Sequence, residues 1–171
     1  SDDNNIIKAI KLGNLPEEGN FIDLGGGAGS IAAGIVNILP KWKGTVLELS
    51  NKAVNKGAKL FPKLSFINGS LTKYDAIKDK IFDLAVISMV LHLIDRKFLS
   101  IALANIDQAV KPGGFIIIQD FYSPFPKANK SSHRKGIFIF KQDYVASFLA
   151  LNTYTEIYRM QGPTQHSVFD K

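Results

Sequence analysis

Asp23 closes a short apolar run, Phe21-Ile22-Asp23-Leu24, and Gly25-Gly26-Gly27-Ala28-Gly29 follows before Ser30. Glycine at these spacings lets the backbone turn sharply and lie against a ligand, because no Cβ intervenes. A helix beginning near Ser30 would aim its free N–H groups and positive dipole end into that turn. The chemistry this suits is the cradling of a nucleotide or a carboxylate. Gly27-Ala28-Gly29-Ser30-Ile31-Ala32 also satisfies the GxGxxA form of the dinucleotide fingerprint, which is weak evidence by itself.

The elements that must position this turn follow from pattern. Asn4 to Leu12 has Ile6, Ile7 and Ile10 on one helical face, and Gly13 to Pro16 end it. Strands are predicted at 20–24, 45–49, 64–68, 82–88 and 115–119, separated by helices at 30–39, 52–60 and 96–110. Ser50 is the expected N-cap of the second of these helices. Lys111-Pro112-Gly113-Gly114 breaks the third. A loop of about 20 residues, too long for a plain connection, leads to a helix near 142–151 and a sixth strand at 155–160. Strands alternating with helices predict an α/β fold, a doubly wound, mostly parallel sheet with helices on both faces.

Composition sets limits. The 171 residues are 46% hydrophobic and 21% charged, enough for one domain with a real core. That domain divides into a leading helix and linker (1–19), a ligand-binding core (20–121) and a loop, helix and last strand (122–171). No apolar run approaches the ~18 residues of a membrane span. The polar start, Ser1-Asp2-Asp3-Asn4-Asn5, is not a secretory signal. The absence of cysteine excludes disulfides and thiolate metal sites and fits a cytoplasmic location. A first residue other than Met suggests a trimmed chain or an excised domain. The net charge of +6 is spread over scattered lysines, which fits a solvated surface and disfavours nucleic acid as partner. It leaves the oligomeric state open.

Registered as Asp23-x-Gly25-x-Gly27-x-Gly29, the turn resembles motif I of the class I S-adenosylmethionine-dependent methyltransferases. Other segments fall in the order of that family: Val46-Leu47-Glu48, Asn68-Gly69-Ser70, Phe82-Asp83-Leu84, Met89 to Asp95, Lys111-Pro112-Gly113-Gly114-Phe115, and Gln119-Asp120-Phe121. The resemblance implies S-adenosylmethionine as cofactor and S-adenosylhomocysteine as product. It implies cofactor contacts from Asp23, Gly25, Gly26, Gly27, Gly29, Glu48, Gly69, Ser70 and Ser88, with Leu49, Leu71 and Met89 as apolar walls. Glu48 would accept both ribose hydroxyl protons in charge-assisted bonds. Ser70 stands where the family usually has an Asp for the adenine, so a weaker hydroxyl contact is expected. Asp83 begins its strand, at the end away from the cofactor, and is expected to be structural.

Methyl transfer needs an acceptor held in line, and a hydroxyl or amine also needs a base. His92, after the fourth strand, and His133, in the long loop, are the candidates; His166 is expected at the surface. The loop also carries Phe121, Tyr122 and Phe125, which could wall an acceptor, with Lys127, Arg134 and Lys135 able to pair with an acidic group. No metal-binding constellation is evident. The Asn-Pro-Pro-Tyr signature of enzymes that methylate amino groups of nucleic acids is absent, which favours a small-molecule acceptor, O-methylation in particular. Ser70 leaves room for a non-catalytic relative acting as an interaction module, and the basic loop for a nucleic-acid methyltransferase. The end of the chain, Gln165 to Lys171, is expected to stop short of the family's full antiparallel last strand, leaving open sheet edges, as if the natural chain continued.

Overall fold

A computed structural model describes residues 2–132, 135–160 and 165–170 of the chain. In order these form α1 (Asp2–Leu12), β1 (Gly19–Leu24), α2 (Ser30–Ile38), β2 (Trp42–Glu48), α3 (Asn51–Leu60), β3 (Ser65–Asn68), β4 (Phe82–Ser88), α4 (Arg96–Ala109), β5 (Val110–Asp120), β6 (Lys127–Lys130), β7 (Phe138–Lys141), α5 (Tyr144–Leu149), β8 (Thr155–Met160) and β9 (Gln165–Asp170). Side-chain caps start the helices where the sequence allows them. Ser50 Oγ accepts the Ala53 N–H at 3.3 Å as predicted, Asp95 Oδ1 accepts that of Lys97, and Asp143 Oδ1 accepts those of Val145 and Ala146.

Seven strands form one sheet in the order β3-β2-β1-β4-β5-β9-β8. The first five are parallel, and β9 runs antiparallel to both of its neighbours. Strand order reverses between β1 and β4, the point in such sheets where a crevice opens beyond the carboxyl ends. One face buries Phe21, Val46, Leu84, Val86 and Ile117 under Ile6 and Ile10 of α1 and Ala32 and Ile35 of α2. The other buries Ile22, Leu24, Ile87, Ile116 and Ile118 under Ala102 and Ile106 of α4 and Val145 and Phe148 of α5. Strands covered on both sides need continuous apolar runs, which β1, β4 and β5 supply.

Two expectations are corrected. The last strand is not incomplete: β9 pairs with β5 over six residues, from Phe115 opposite Asp170 to Asp120 opposite Gln165, and with β8 on its other side. Six residues is an ordinary strand length; the segment looked short because only Val168 and Phe169 in it are apolar. The long loop after β5 contains a two-stranded sheet, β6 with β7, rather than irregular chain alone. Lys111–Gly114 also does more than end α4. It is a turn looped out within β5, with Gly113 at φ +75°, so Val110 still pairs with Phe82 and the strand resumes at Phe115 opposite Leu84.

At the amino ends of the strands, away from the crevice, Asn20 and Asp83 exchange hydrogen bonds. The Asn20 N–H donates to Asp83 Oδ2 at 2.8 Å, and the Asp83 N–H donates to Asn20 Oδ1 at 2.9 Å. The Lys111 ammonium pairs with Asp83 Oδ1, so one carboxylate ties β1, β4 and β5 together. Burial pushes this carboxyl up, but Lys111 and the Asn20 N–H outweigh it and hold it below its ordinary value. A carboxyl lowered by folding contributes its full stability above the ordinary aspartate value of about 4 and loses it as pH falls through the folded value. Asp83→Asn should therefore lower the unfolding free energy by about 1 kcal/mol near neutrality. In urea melts the gap from wild type should narrow as pH falls below the ordinary aspartate value and through the lowered folded one; a gap independent of pH would overturn this account.

Candidate active site

The parallel register brings the carboxyl ends of β1, β2, β4 and β5 to one edge, with Asp23 opposite Val46 and Val86, Glu48 opposite Asn68, and Ser88 opposite Gln119. Asp23 is 1% exposed and lies under the glycine turn. A Cβ on Gly26 would stand 2.4 Å from Asp23 Oδ2, so no other residue fits over that carboxylate. Gly25 has φ +77°, and a Cβ there would strike Val90 at 2.6 Å. At Gly27 a Cβ would meet nothing within 4 Å: the turn faces open space there, room for a ligand to lie against the backbone. Gly29, at φ +86°, ends the turn as the cap of α2.

Glu48 organises the next strand end. Its Oε2 accepts the Gly27 N–H at 3.0 Å and its Oε1 accepts the Ser50 N–H at 2.7 Å. Each oxygen keeps acceptor capacity for a further donor. Asn68 Nδ2 donates to the carbonyls of Glu48 and Leu49, both at 3.0 Å, and fixes the chain as it leaves β2. A cavity of about 430 Å³ opens beside these groups, and its lining includes Gly25, Glu48, Leu49, Gly69, Ser70, Leu71 and Met89. Asp23, Gly26, Gly27, Gly29 and Ser88 do not line it: the three glycines belong to the turn, and Asp23 and Ser88 sit in β1 and β4. Ser70 Oγ bonds Thr72 Oγ1 at 2.8 Å and accepts the Thr72 N–H at 3.2 Å, so it braces its own turn as well as lining the cavity. Exposed Leu49, Leu93 and Phe98 rim the opening.

Across Met89 lies a second cavity of about 500 Å³, lined by His92, Phe121, Asn129, Ile139 and Lys141 among others. Met89 lines both cavities. It has φ +58°, costly for a residue with a side chain, and its N–H is anchored to the Gln119 carbonyl at 2.8 Å. His92 is on a single 3₁₀ turn, Leu91–Leu93, and is 6% exposed. Its Nδ1 bonds Asp120 Oδ1 at 2.7 Å. With Nδ1 carrying the proton, Nε2 keeps a lone pair.

Asp120, 1% exposed, was not expected to take part, and several donors converge on it. Oδ2 accepts the N–H groups of Val90, Leu91 and His92 at 3.2, 2.8 and 3.3 Å, and Oδ1 accepts that of Phe121 at 2.7 Å. Its charge reaches Tyr144, whose hydroxyl is pushed up to about 12, first by burial and then by Asp120. The one hint in the sequence was a polar pair, Gln119-Asp120, ending an otherwise apolar strand. Phe121 meets His92 edge-on, ring centres 4.8 Å apart. His133 and Arg134 lie outside the described residues. His166 is in β9 opposite Gln119, at the far side of β5 from His92's own strand end. Among the described residues no three His, Asp or Glu groups converge as a metal site, and no helix is long and apolar enough to cross a membrane.

Solved structures share this architecture. An O-methyltransferase family protein from Burkholderia thailandensis is 15% identical, with TM-score 0.73 over 97% of this chain and 55% of its own. A protein from Mesorhizobium loti, described as an S-adenosylmethionine-dependent methyltransferase, is 14% identical, with TM-score 0.74 over 96% of both chains. The glycopeptide N-methyltransferase MtfA, in complex with S-adenosylmethionine, is 15% identical, with TM-score 0.72 over 99% of this chain and 94% of its own. At such identities the likeness is one of fold, and this chain spans about half the length of the Burkholderia protein. No curated protein matches the sequence significantly. The family model described as an O-methyltransferase domain matches residues 3–143, most of the chain, and on that ground the chain belongs to the O-methyltransferase domain family.

Proposed function

We propose that the chain is an S-adenosylmethionine-dependent methyltransferase acting on a hydroxyl of a small molecule. The observation that carries this is two cavities meeting at Met89, one beside the Glu48 carboxylate and the glycine turn, the other beside the His92–Asp120 pair. The first cavity fits the cofactor: Gly27 leaves backbone open to a ligand, Glu48 has lone pairs for a ribose diol, and Leu71 and Leu49 are flat apolar walls for a ring. Asp23, Gly25, Gly26, Gly29, Gly69, Ser70 and Ser88 would shape and support it, with Ser70 a weak adenine contact because Thr72 already occupies its hydroxyl. A cofactor held there would supply an electrophilic methyl on a sulfonium, whose leaving group is a neutral thioether.

His92 is the proposed base. Asp120 holds Nδ1–H, which leaves Nε2 to take the acceptor hydroxyl's proton as that oxygen bonds to the methyl carbon. The same carboxylate faces the imidazolium that results, and burial makes this stabilisation stronger than it would be in water. Phe121 packs the ring so that it cannot swing away. The basic hairpin favours an acidic acceptor over a neutral one, and the cysteine-free composition favours a cytoplasmic setting.

Two measurements test this. Glu48→Ala should weaken S-adenosylhomocysteine binding in calorimetry by roughly 10- to 100-fold, the loss of two charge-assisted hydrogen bonds; unchanged affinity would remove Glu48 from the site, and no binding to wild type would remove the function. His92→Gln should leave that affinity within a factor of about two while turnover of an accepted hydroxyl substrate drops by about 10²–10⁴. Full activity in that variant would show that His92 is not the base.

A further inference from the structure

The net charge of the chain is gathered at one edge of its sheet. From Lys41 to Lys73 the sequence has seven lysines and a single acid, Glu48, so this stretch alone carries the +6 of the whole protein. Spread out in the sequence, these residues come together because β2 and edge strand β3 are neighbours and α3 packs against both. Lys41 pairs with Glu17, and the Glu48 carboxylate is turned to the Gly27 and Ser50 N–H groups. Among the described residues no carboxylate forms an ion pair with Lys43, Lys52, Lys56, Lys59, Lys63 or Lys73, all of them exposed.

Three of these lysines form a row. Lys52, Lys56 and Lys59 stand at i, i+4 and i+7 of α3, within one sector of about 60°. The helix that carries them is firmly seated. Gly57, on its inner side, is buried, and a Cβ there would stand 2.4 Å from Phe66 and 2.7 Å from the Ala28 carbonyl oxygen. A trough on the outer side is lined by Asn51, Lys52, Asn55, Lys56 and Lys59, with no acid and no aromatic ring among them. Stability does not explain the row. Lysines three and four apart on one helix face repel, and Lys52 lies in the first turn, where the helix dipole disfavours a cation. No acid on α3 offsets either cost.

We propose that the outer face of α3 docks the phosphate backbone of a nucleic-acid duplex, independently of base sequence. Lysines clustered along one helix are the electrostatic footprint of such binding, and Lys and Asn side chains commonly donate to phosphate oxygens. From Lys52 to Lys59 the row covers about 10 Å of helix axis, the rise of about three phosphates on one strand. A protein partner fits less well, because such interfaces are poor in lysine and rich in aromatic residues and arginine. A membrane-seeking helix would turn an apolar face to the bilayer. The apolar side of α3 is turned to the domain instead, with Gly57 buried, Ala53 and Val54 half-buried, and Leu60 its one large exposed apolar group. Single strands bind by stacking bases on aromatic side chains, which this face lacks. The surface is independent of the methyltransferase function proposed above.

The test is fluorescence anisotropy with short labelled DNA and RNA duplexes of unrelated sequence, titrated with the full chain at rising salt. At low salt at least one kind of duplex should bind with a dissociation constant of about 10⁻⁵ M or tighter, equal across sequences, and affinity should fall steeply with salt. The Lys52→Gln/Lys56→Gln/Lys59→Gln variant should bind at least about tenfold more weakly and lose about 3 from the slope of log affinity against log salt, with an unchanged melting temperature. Removing the same charge from exposed positions elsewhere, in Lys8→Gln/Lys11→Gln/Lys97→Gln, should leave affinity and slope near wild type. No binding at low salt, equal losses in the two variants, tighter binding of a single strand than of a duplex, or binding to phosphatidylserine vesicles in place of either duplex would overturn this inference.

Discussion

A carboxylate shut away from water needs hydrogen-bond donors in its place, and the site is organised around the way Asp120 obtains them. Its donors come from the peptide N–H groups of the turn after β4, from Phe121 just past the end of β5, and from the His92 ring. One of its oxygens pins the backbone of residues 90–92, and the other sets the direction of the imidazole. Because β4 and β5 are neighbours in parallel register, these groups are brought together by the sheet itself and not by a mobile loop. The proposed base, on the turn just past β4, is thereby tied to the end of β5.

The two ends of the sheet divide the work. At the amino ends, the Asn20–Asp83 exchange and Lys111 join three strands. At the carboxyl ends, polar side chains gather that no stability argument would place there: Asp23 beneath the turn, Glu48 bonded to Gly27 and Ser50, and Gln119 fully buried. Gln119 has neither side-chain polar atom paired, a cost in a folded chain that functional regions commonly carry. Edge strand β8 is also tied to the start of α5, where Arg159 reaches Asp143 while bonding Glu156 of its own strand.

Much of this was legible in the sequence where cause and effect are local. The glycine turn, the Ser50 cap, Glu48 at the end of β2 and Asp83 at the opposite end all follow from a few adjacent residues and the order of the elements. What could not be read depended on contacts between distant segments. His92 and Asp120 are 28 residues apart and meet only through strand pairing. The hairpin strands, Lys-Ala-Asn-Lys and Phe-Ile-Phe-Lys, lack the alternation that marks a half-buried strand. The last strand shows itself through its pairing with the apolar β5, which its own composition does not reveal. Ser70 was read as facing a ligand; its hydroxyl is partly claimed by Thr72, two residues on, a competition that side-chain type alone does not reveal.

The hairpin belongs to a separate two-stranded sheet, hydrogen-bonded to none of the seven strands that carry the glycine turn and Glu48. Substitutions or insertions there leave the main ladder of backbone bonds intact. Such an appendage can change while the strands that carry the glycine turn and Glu48 stay as they are. A graft confined to the stretch between Phe121 and Gln142 would keep Asp143 as the cap of α5 and the partner of Arg159.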